Sequence, residues 1–270
     1  MKRFLIALVF LLLLTAAGCS TLNPGGSSSP VTDRILAKGE IRVGMSGNQP
    51  PFTMMNRTGQ LMGMDVDLAR GLARSLGVQV ELVTMPFKDL LPALESGDID
   101  VVFSGLTMTP ERNLKVAFAG PYFISGKAAL TKSDSLAAAD GPEDVNKPLR
   151  MSVLAGSTSE QFVRRDLPEV EVVEAVDYAE AIRKVLDDEV NAMIADYPIC
   201  VLALYQHPGA GLAAAFSPFT FEPIGVALSS DATLLTNLVE NYLDLLEGIG
   251  TLGRLREIWF NNDAWVDQLP

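Results

Sequence analysis

Past residue 40 the apolar positions alternate between a period of two and a period near 3.6. "IRVGMS" (41–46) predicts a strand, and "PFTMMNRTGQLMGMD" (51–65) a hairpin turning at Asn56 to Gly59. In "DLARGLARSLG" (67–77), Leu68, Leu72 and Leu76 share one helical face and Gly77 stops the helix. "VQVELVT" (78–84) predicts a strand, "KDLLPALESG" (88–97) a helix and "DIDVVF" (98–103) a further strand. Such a βαβαβ series predicts an open, doubly wound α/β unit.

A second series starts after Tyr122. "GKAALTK", "LRMSVL", "VEVVEA" and "NAMIA" predict strands; "SEQFVRRDL", "AEAIRKVLDD" and "PICVLALYQ" predict helices. The chain then returns through "EPIGVALSS" to two late helices, "LLTNLVENYLDLLEG" and "RLREIWF". The expected architecture is therefore α/β with two lobes, two open doubly wound sheets joined by two hinge crossovers. Lobe 1 is assigned residues 33–123 plus 222–270, and lobe 2 residues 124–221. Open α/β sheets bind ligands beyond the carboxyl ends of their strands, so two facing sheets predict a cleft that hinge motion closes.

The N-terminus changes the picture. Lys2 and Arg3 precede "FLIALVFLLLL" and then "TAAGCS", the layout of an export signal over residues 1–19. The apolar run is shorter than the roughly 20 residues a spanning helix needs. "AAGC" ending at Cys19 resembles a lipoprotein lipobox, with Ala16 in place of the usual Leu. Two readings stand: lipidation of Cys19, or cleavage after Ala17. Either places the protein in the periplasm or on the outer face of the cell membrane. "STLNPGGSSSP" opens a flexible tether assigned to residues 20–32. With Cys19 processed, Cys200 is the remaining cysteine and no intrachain disulfide is possible.

A net charge of −12 without a basic stripe excludes nucleic acid as a partner. A composition 48% hydrophobic and 20% charged suits a globular protein. One histidine and no cysteine pair leave no transition-metal cluster, and no cofactor is expected. "GIGTLG" (248–253) matches a dinucleotide fingerprint in letters alone, since it joins two helices and follows no strand.

The candidate chemistry lies behind predicted strands. Thr109 is a good N-cap and Pro110 suits the first helical position. Arg112, a cation near the positive end of that helix, is either an exposed or locally paired side chain or a planar fork aimed at a carboxylate or phosphate. In "LAGSTSE" (154–160), Ser157, Thr158 or Ser159 caps a helix whose free amides favour an anion. Asp196, between a strand and a helix that Pro198 opens, is either a cap or an acid presented to an amine. Together these complement a zwitterion: Arg112 and residues 157–158 for an α-carboxylate, Asp196 for an α-ammonium.

"GMDVDLARGLARSLG" (63–77) and "LESGDIDVVFSGLTMTPERNLKVAFAGPYF" (94–123) resemble motifs of the family 3 bacterial extracellular solute-binding proteins. These are the receptors of polar amino-acid ABC transporters. "GSTSE", "NAMIADYP" and "LGRLREIWF" follow in the family's order, so the resemblance covers nearly the whole chain after residue 33. It implies a carboxylate-binding Arg112 with Thr107 and Thr158 beside it, and an ammonium-binding Asp196. It also implies backbone contacts at Ser104 and Gly105 and an aromatic wall at Phe87. Where better-known members carry an acid and an aromatic, this chain has Ser46 and Gln49, which turns the expected ligand towards a small or polar uncharged amino acid. The expected partner is an ABC transporter permease, with the protein itself a monomer held to the membrane by lipid on Cys19.

Two rival functions share the fold. Cyclohexadienyl dehydratases resemble these proteins and need a proton-transfer group near the reacting carbon. The residues after Asp196 supply no second carboxylate, and His207 lies in a turn-like helix exit. A ligand-sensing receptor module is the other alternative.

Overall fold

A computed structural model describes residues 29–215 and 219–269. The export signal, Cys19 and most of the expected tether lie outside them. Residues 30–32, assigned to that tether, instead begin a helix, Pro30–Lys38. It buries Ile35 against the first lobe and ends at Gly39 in the left-handed region.

Two five-stranded open sheets organise the chain. In the first, Gln79–Thr84, Glu40–Met45 and Val101–Thr107 lie side by side in parallel, as the βαβαβ pattern predicts. Glu222–Ser229 then pairs antiparallel with Val101–Thr107, and Val116–Ser125 closes the order. The second sheet runs Glu171–Ala175, Arg150–Leu154, Ala192–Asp196, Lys127–Thr131 and Ala213–Ala214. A small three-stranded sheet, with Thr53–Met55 and Leu61–Met62 as its hairpin, lies beside the first.

Two of the differences from the sequence expectation position the cleft. The strand beginning at Val101 does not end at Phe103 but runs to Thr107, because Leu106 and Thr107 pair with Gly225 and Ile224 of the returning strand. Ser104, Gly105 and Thr107 therefore stand in a strand, not in a loop. Val116–Ser125 was not foreseen as a strand at all; it pairs with Glu222–Ser229 over most of its length. Its continuation through Ser125 carries lobe 1 past the break assigned after residue 123, and lobe 2 takes over at Lys127.

The first lobe buries Val43, Phe103, Leu72 and Val226 under the two C-terminal helices, Thr233–Gly248 and Thr251–Phe260. These helices are pinned by the Tyr242 hydroxyl donating to Leu68 O (3.0 Å) and Trp259 Nε1–H donating to Asp67 (3.0 Å). A second apolar cluster spans both lobes, joining Phe87, Leu90 and Val102 to Ala128, Tyr178 and Ile199. The lobes thus share buried apolar surface, and the charged cleft residues sit at its edge.

Candidate functional site

Thr109 caps the short helix Pro110–Asn113 by accepting the Arg112 N–H (3.2 Å), as its residue type predicts. The cap turns the Arg112 side chain back under the strand it has just left. Nη1 donates to Thr107 O (2.8 Å), and Nη2 crosses to the second lobe to meet Gly156 O (3.3 Å). Arg112 is buried, with its guanidinium 5.9 Å from the centroid of the Phe87 ring. Burial lowers the guanidinium to about 10, opposed by the fields of Asp196 and Glu222, so it remains a cation at neutral pH. Among the described residues no carboxylate forms an ion pair with it.

The facing loop comes from lobe 2. Gly156 stands at φ +76°, and a Cβ there would lie 2.8 Å from Lys88 Cβ of lobe 1. Glycine is what lets the two lobes approach this closely. The next residues build a cap related to a capping box, with the return bond going to Gly156 rather than to Ser157. Ser157 Oγ accepts the Glu160 N–H (3.2 Å), and Glu160 Oε2 accepts the Gly156 N–H (2.8 Å). Two amides that an incoming anion could have used are thereby satisfied internally. Thr158 faces inwards instead, its Oγ1 3.3 Å from Thr107 Oγ1 and 3.2 Å from Glu222 Oε2.

Asp196 ends its strand as expected, yet its side chain caps nothing. Oδ1 accepts from Lys127 Nζ at 2.5 Å, and the same Nζ lies 3.4 Å from Glu222 Oε2. Lys127 and Glu222 were missed in the sequence. Their one legible signal is a lone charge flanking an apolar strand at each crossover, in "SGKAAL" and "FEPIG". Glu222 also corrects the expectation that no second carboxylate stands near Asp196.

The polar network thus runs Thr107, Thr158, Glu222, Lys127, Asp196, with Arg112 beside it. The remaining predicted residues form a neighbouring group under lobe 1. Ser104 Oγ accepts the Ser46 N–H (3.0 Å) and donates to Ser46 Oγ (3.1 Å), and Gln49 Nε2 donates to Gly105 O (3.4 Å). Gly105 has φ +52°, and a Cβ there would meet Gln49 Nε2 at 2.7 Å. Its N–H donates to Asp65 Oδ2 (2.6 Å), a buried carboxylate. Burial pushes the Asp65 carboxyl up to about 7, against the nearby Tyr122 hydroxyl and the Gly105 N–H. Neither that hydroxyl nor Asp65 Oδ1 has a hydrogen-bond partner among the described residues.

A cavity of about 460 Å³ lies between the lobes, lined by Ser46, Asn48 and Phe87 on one side and Ala155 and Asp177 on the other. It lies over the Ser46 and Phe87 side of the site; Arg112 and Asp196 are not in its wall. A larger one of about 660 Å³, lined by Phe123, Tyr205, Trp259 and Phe260, contains none of the predicted site residues. His207 follows the helix Tyr197–Gln206 that Asp196 starts, about 15 Å along it. That places it far from the charged network.

The chain is similar to known proteins over most of its length. The glutamine-binding protein of Geobacillus stearothermophilus is 32% identical over 84% of this chain and 91% of its own length. Cyclohexadienyl dehydratase of Pseudomonas aeruginosa is 28% identical over 84% of this chain and 85% of its own length. The crystal structure of the ancestral amino acid-binding protein AncCDT-1, a precursor of cyclohexadienyl dehydratase, superposes with a TM-score of 0.79 and 36% identity. It covers 85% of this chain and 99% of that one. The model of the bacterial extracellular solute-binding proteins, family 3, matches residues 41–262, and the chain belongs to that family.

Proposed function

We propose that this protein captures an amino acid between its lobes and delivers it to an ABC transporter permease. One observation carries the reading: Thr107, beside Arg112, is linked through Thr158, Glu222 and Lys127 to Asp196, in a polar network drawn from both sheets. Arg112 supplies a buried cation whose donors now rest on neutral carbonyl oxygens, which a ligand α-carboxylate can outbid because both partners are then charged. Asp196 and Glu222 supply the acids for the ammonium. Thr107 and Thr158 lend hydroxyls from opposite lobes, so a ligand bridging them ties the lobes together. Phe87 lies under Arg112, and Ser46, Gln49, Ser104 and Gly105 shape the wall on the lobe 1 side.

The ligand in this reading is a small or polar uncharged amino acid. Ser46 and Gln49 present a hydroxyl and an amide, both bonded within lobe 1, where a charged side chain would need a countercharge. Lipid on Cys19 would keep the receptor at the membrane; labelling with a fatty-acid probe, lost in Cys19→Ser, tests that separately. The receptor is taken to work as a monomer.

The likeness to cyclohexadienyl dehydratase and to its ancestral precursor favours a second reading, an enzyme of that type. The Asp196 and Glu222 carboxylates would then have to exchange a proton, although Lys127 holds both. One experiment addresses both readings. The domain from Pro30 is unfolded, refolded to strip carried-over ligand, and titrated with the common amino acids and with prephenate, Arg112→Ala alongside. Tight binding of one or a few amino acids, abolished in the variant and without prephenate turnover, supports the receptor. Turnover of prephenate, or binding indifferent to Arg112→Ala, rejects it.

A further inference from the structure

Lys127 is the least expected residue of the site. It is 1% exposed and held by its main chain as well as its side chain: its N–H donates to Thr220 Oγ1 (3.1 Å), and its carbonyl accepts the Phe219 N–H (2.7 Å). Residue 127 follows the first crossover, while Thr220 and Glu222 belong to the second. The ammonium is therefore fixed where both crossovers meet the base of the cleft. Thr220 Oγ1 donates to Glu222 Oε1 (2.8 Å), which fixes the second acid in turn. A buried ammonium is costly unless paired, and this one has two carboxylates within 3.4 Å.

With Lys127 included, the base of the cleft holds two cations, Arg112 and Lys127, and two anions, Asp196 and Glu222. These four cancel. A ligand then enters a desolvated space in which any net charge of its own goes uncompensated. A zwitterion with an uncharged side chain adds one charge of each sign and keeps the balance. Its carboxylate goes to Arg112. Its ammonium shares the two acids with Lys127, which engages Asp196 through Oδ1 and leaves Oδ2 without a hydrogen bond among the described residues. A cationic side chain adds a surplus positive charge, and an acidic one a surplus negative charge. Without Lys127 the same cleft would carry one surplus negative charge and favour a cationic amino acid.

We infer that Lys127 is a specificity-determining residue, an internal countercation that sets the site for ligands of zero net charge and excludes those with cationic side chains. The inference rests on the amino-acid reading above and deepens it. It makes a compensation test possible, because Glu222 carries the opposite charge at the same place. Refolded wild type, Lys127→Gln, Glu222→Gln and the double variant are titrated calorimetrically with glutamine, serine, arginine and glutamate. Wild type is expected to prefer an uncharged amino acid over arginine by at least tenfold. Lys127→Gln should move that ratio at least tenfold towards arginine, and Glu222→Gln should move binding towards glutamate. The double variant, neutral again, should recover most of the wild-type preference, which a merely structural role for either residue would not produce.

An arginine-to-glutamine ratio unchanged in Lys127→Gln overturns the inference, as does a double variant no closer to wild type than its parents. Wild type that binds arginine best overturns it while leaving the amino-acid reading intact. Wild type that binds no amino acid overturns both, and is distinguished by failing before any variant is made. Should Lys127→Gln not fold, Glu222→Gln and the double variant still decide: unaltered glutamate binding in the first, or unrestored selectivity in the second, refutes it.

Discussion

Arg112 lies just behind the end of a strand and Asp196 at the end of one, both buried charges, yet the protein keeps them in different electrostatic states. Arg112 rests on two neutral carbonyl oxygens, one from each lobe. Asp196 is already neutralised by Lys127 at 2.5 Å. The arginine end therefore has a full charge to offer an incoming carboxylate. The aspartate end offers only what the Lys127 pair leaves over. The strength of binding should thus come mainly from the arginine end, and the choice among ligands from the acid end. The same contrast holds for the hinge. Lys127 ties the two crossovers together within the second lobe and the returning strand, whereas Arg112 makes its contact with Gly156 only when the lobes are together.

The largest effect should follow from removing the available charge. Arg112→Ala loses two or more charge-assisted bonds to a ligand carboxylate, about 3–6 kcal/mol at 1.5–3 kcal/mol each. Calorimetric titration should show affinity falling by at least a hundredfold; a loss under tenfold would erase the distinction between the two ends.

A third buried charge sharpens the comparison. Asp65 lies beneath Gly105 with no cation among the described residues to hold it ionised, and its carboxyl is raised to about 7. An acid raised in the folded state contributes stability that is complete below its unfolded value and is lost as pH climbs through its folded one. Chemical denaturation should therefore show wild type losing about 4 kcal/mol between roughly pH 4 and 7, at about 1.4 kcal/mol per unit. Asp65→Asn should flatten that part of the profile. An equal slope in the variant would assign it to other groups.

A smaller effect is expected at the lobe contact. Gly156→Ala places a Cβ 2.8 Å from Lys88 Cβ at a left-handed φ. It should weaken ligand binding by about 1–3 kcal/mol, the range for overpacking, because the crowding against Lys88 arises only when the lobes are together, and X-ray scattering should show a more open ligand-bound form. Unchanged affinity and compaction would mean that closure does not need this approach. The smallest expected effect is at the cap beside it. Ser157→Ala should cost about 1 kcal/mol of stability, with little change in affinity, because the Ser157 hydroxyl serves its own helix at Glu160 N. A larger loss in binding than in stability would return Ser157 to the ligand.

Much of the site could be read from the order of residues because its chemistry is local. Thr109, Pro110 and Arg112 form one turn, and Ser157 to Glu160 another; caps are decided within four residues. The alternation of apolar positions likewise foretold the parallel strands and most of the helices, since each reports the face that a single element buries. Val116–Ser125 and the extension of Val101–Thr107 beyond Phe103 were hidden. Their pattern is broken by glycine, proline and serine, and their pairing is set by a strand that lies far along the chain.

By itself, then, the sequence determined two open α/β units, the capped turns behind their strands, and the candidate side chains that lie in those turns, because periodicity and capping act over a few residues. Only the tertiary structure decided the state of those charges. Asp196 reads as a free acid or a cap until Lys127, 69 residues away, is brought against it at the hinge. Glu222 joins Lys127, and Thr158 joins Glu222, from two further segments. Ion pairing depends on distance and burial in space. Both are fixed here by where two sheets and two crossovers meet, a relation that no local pattern encodes.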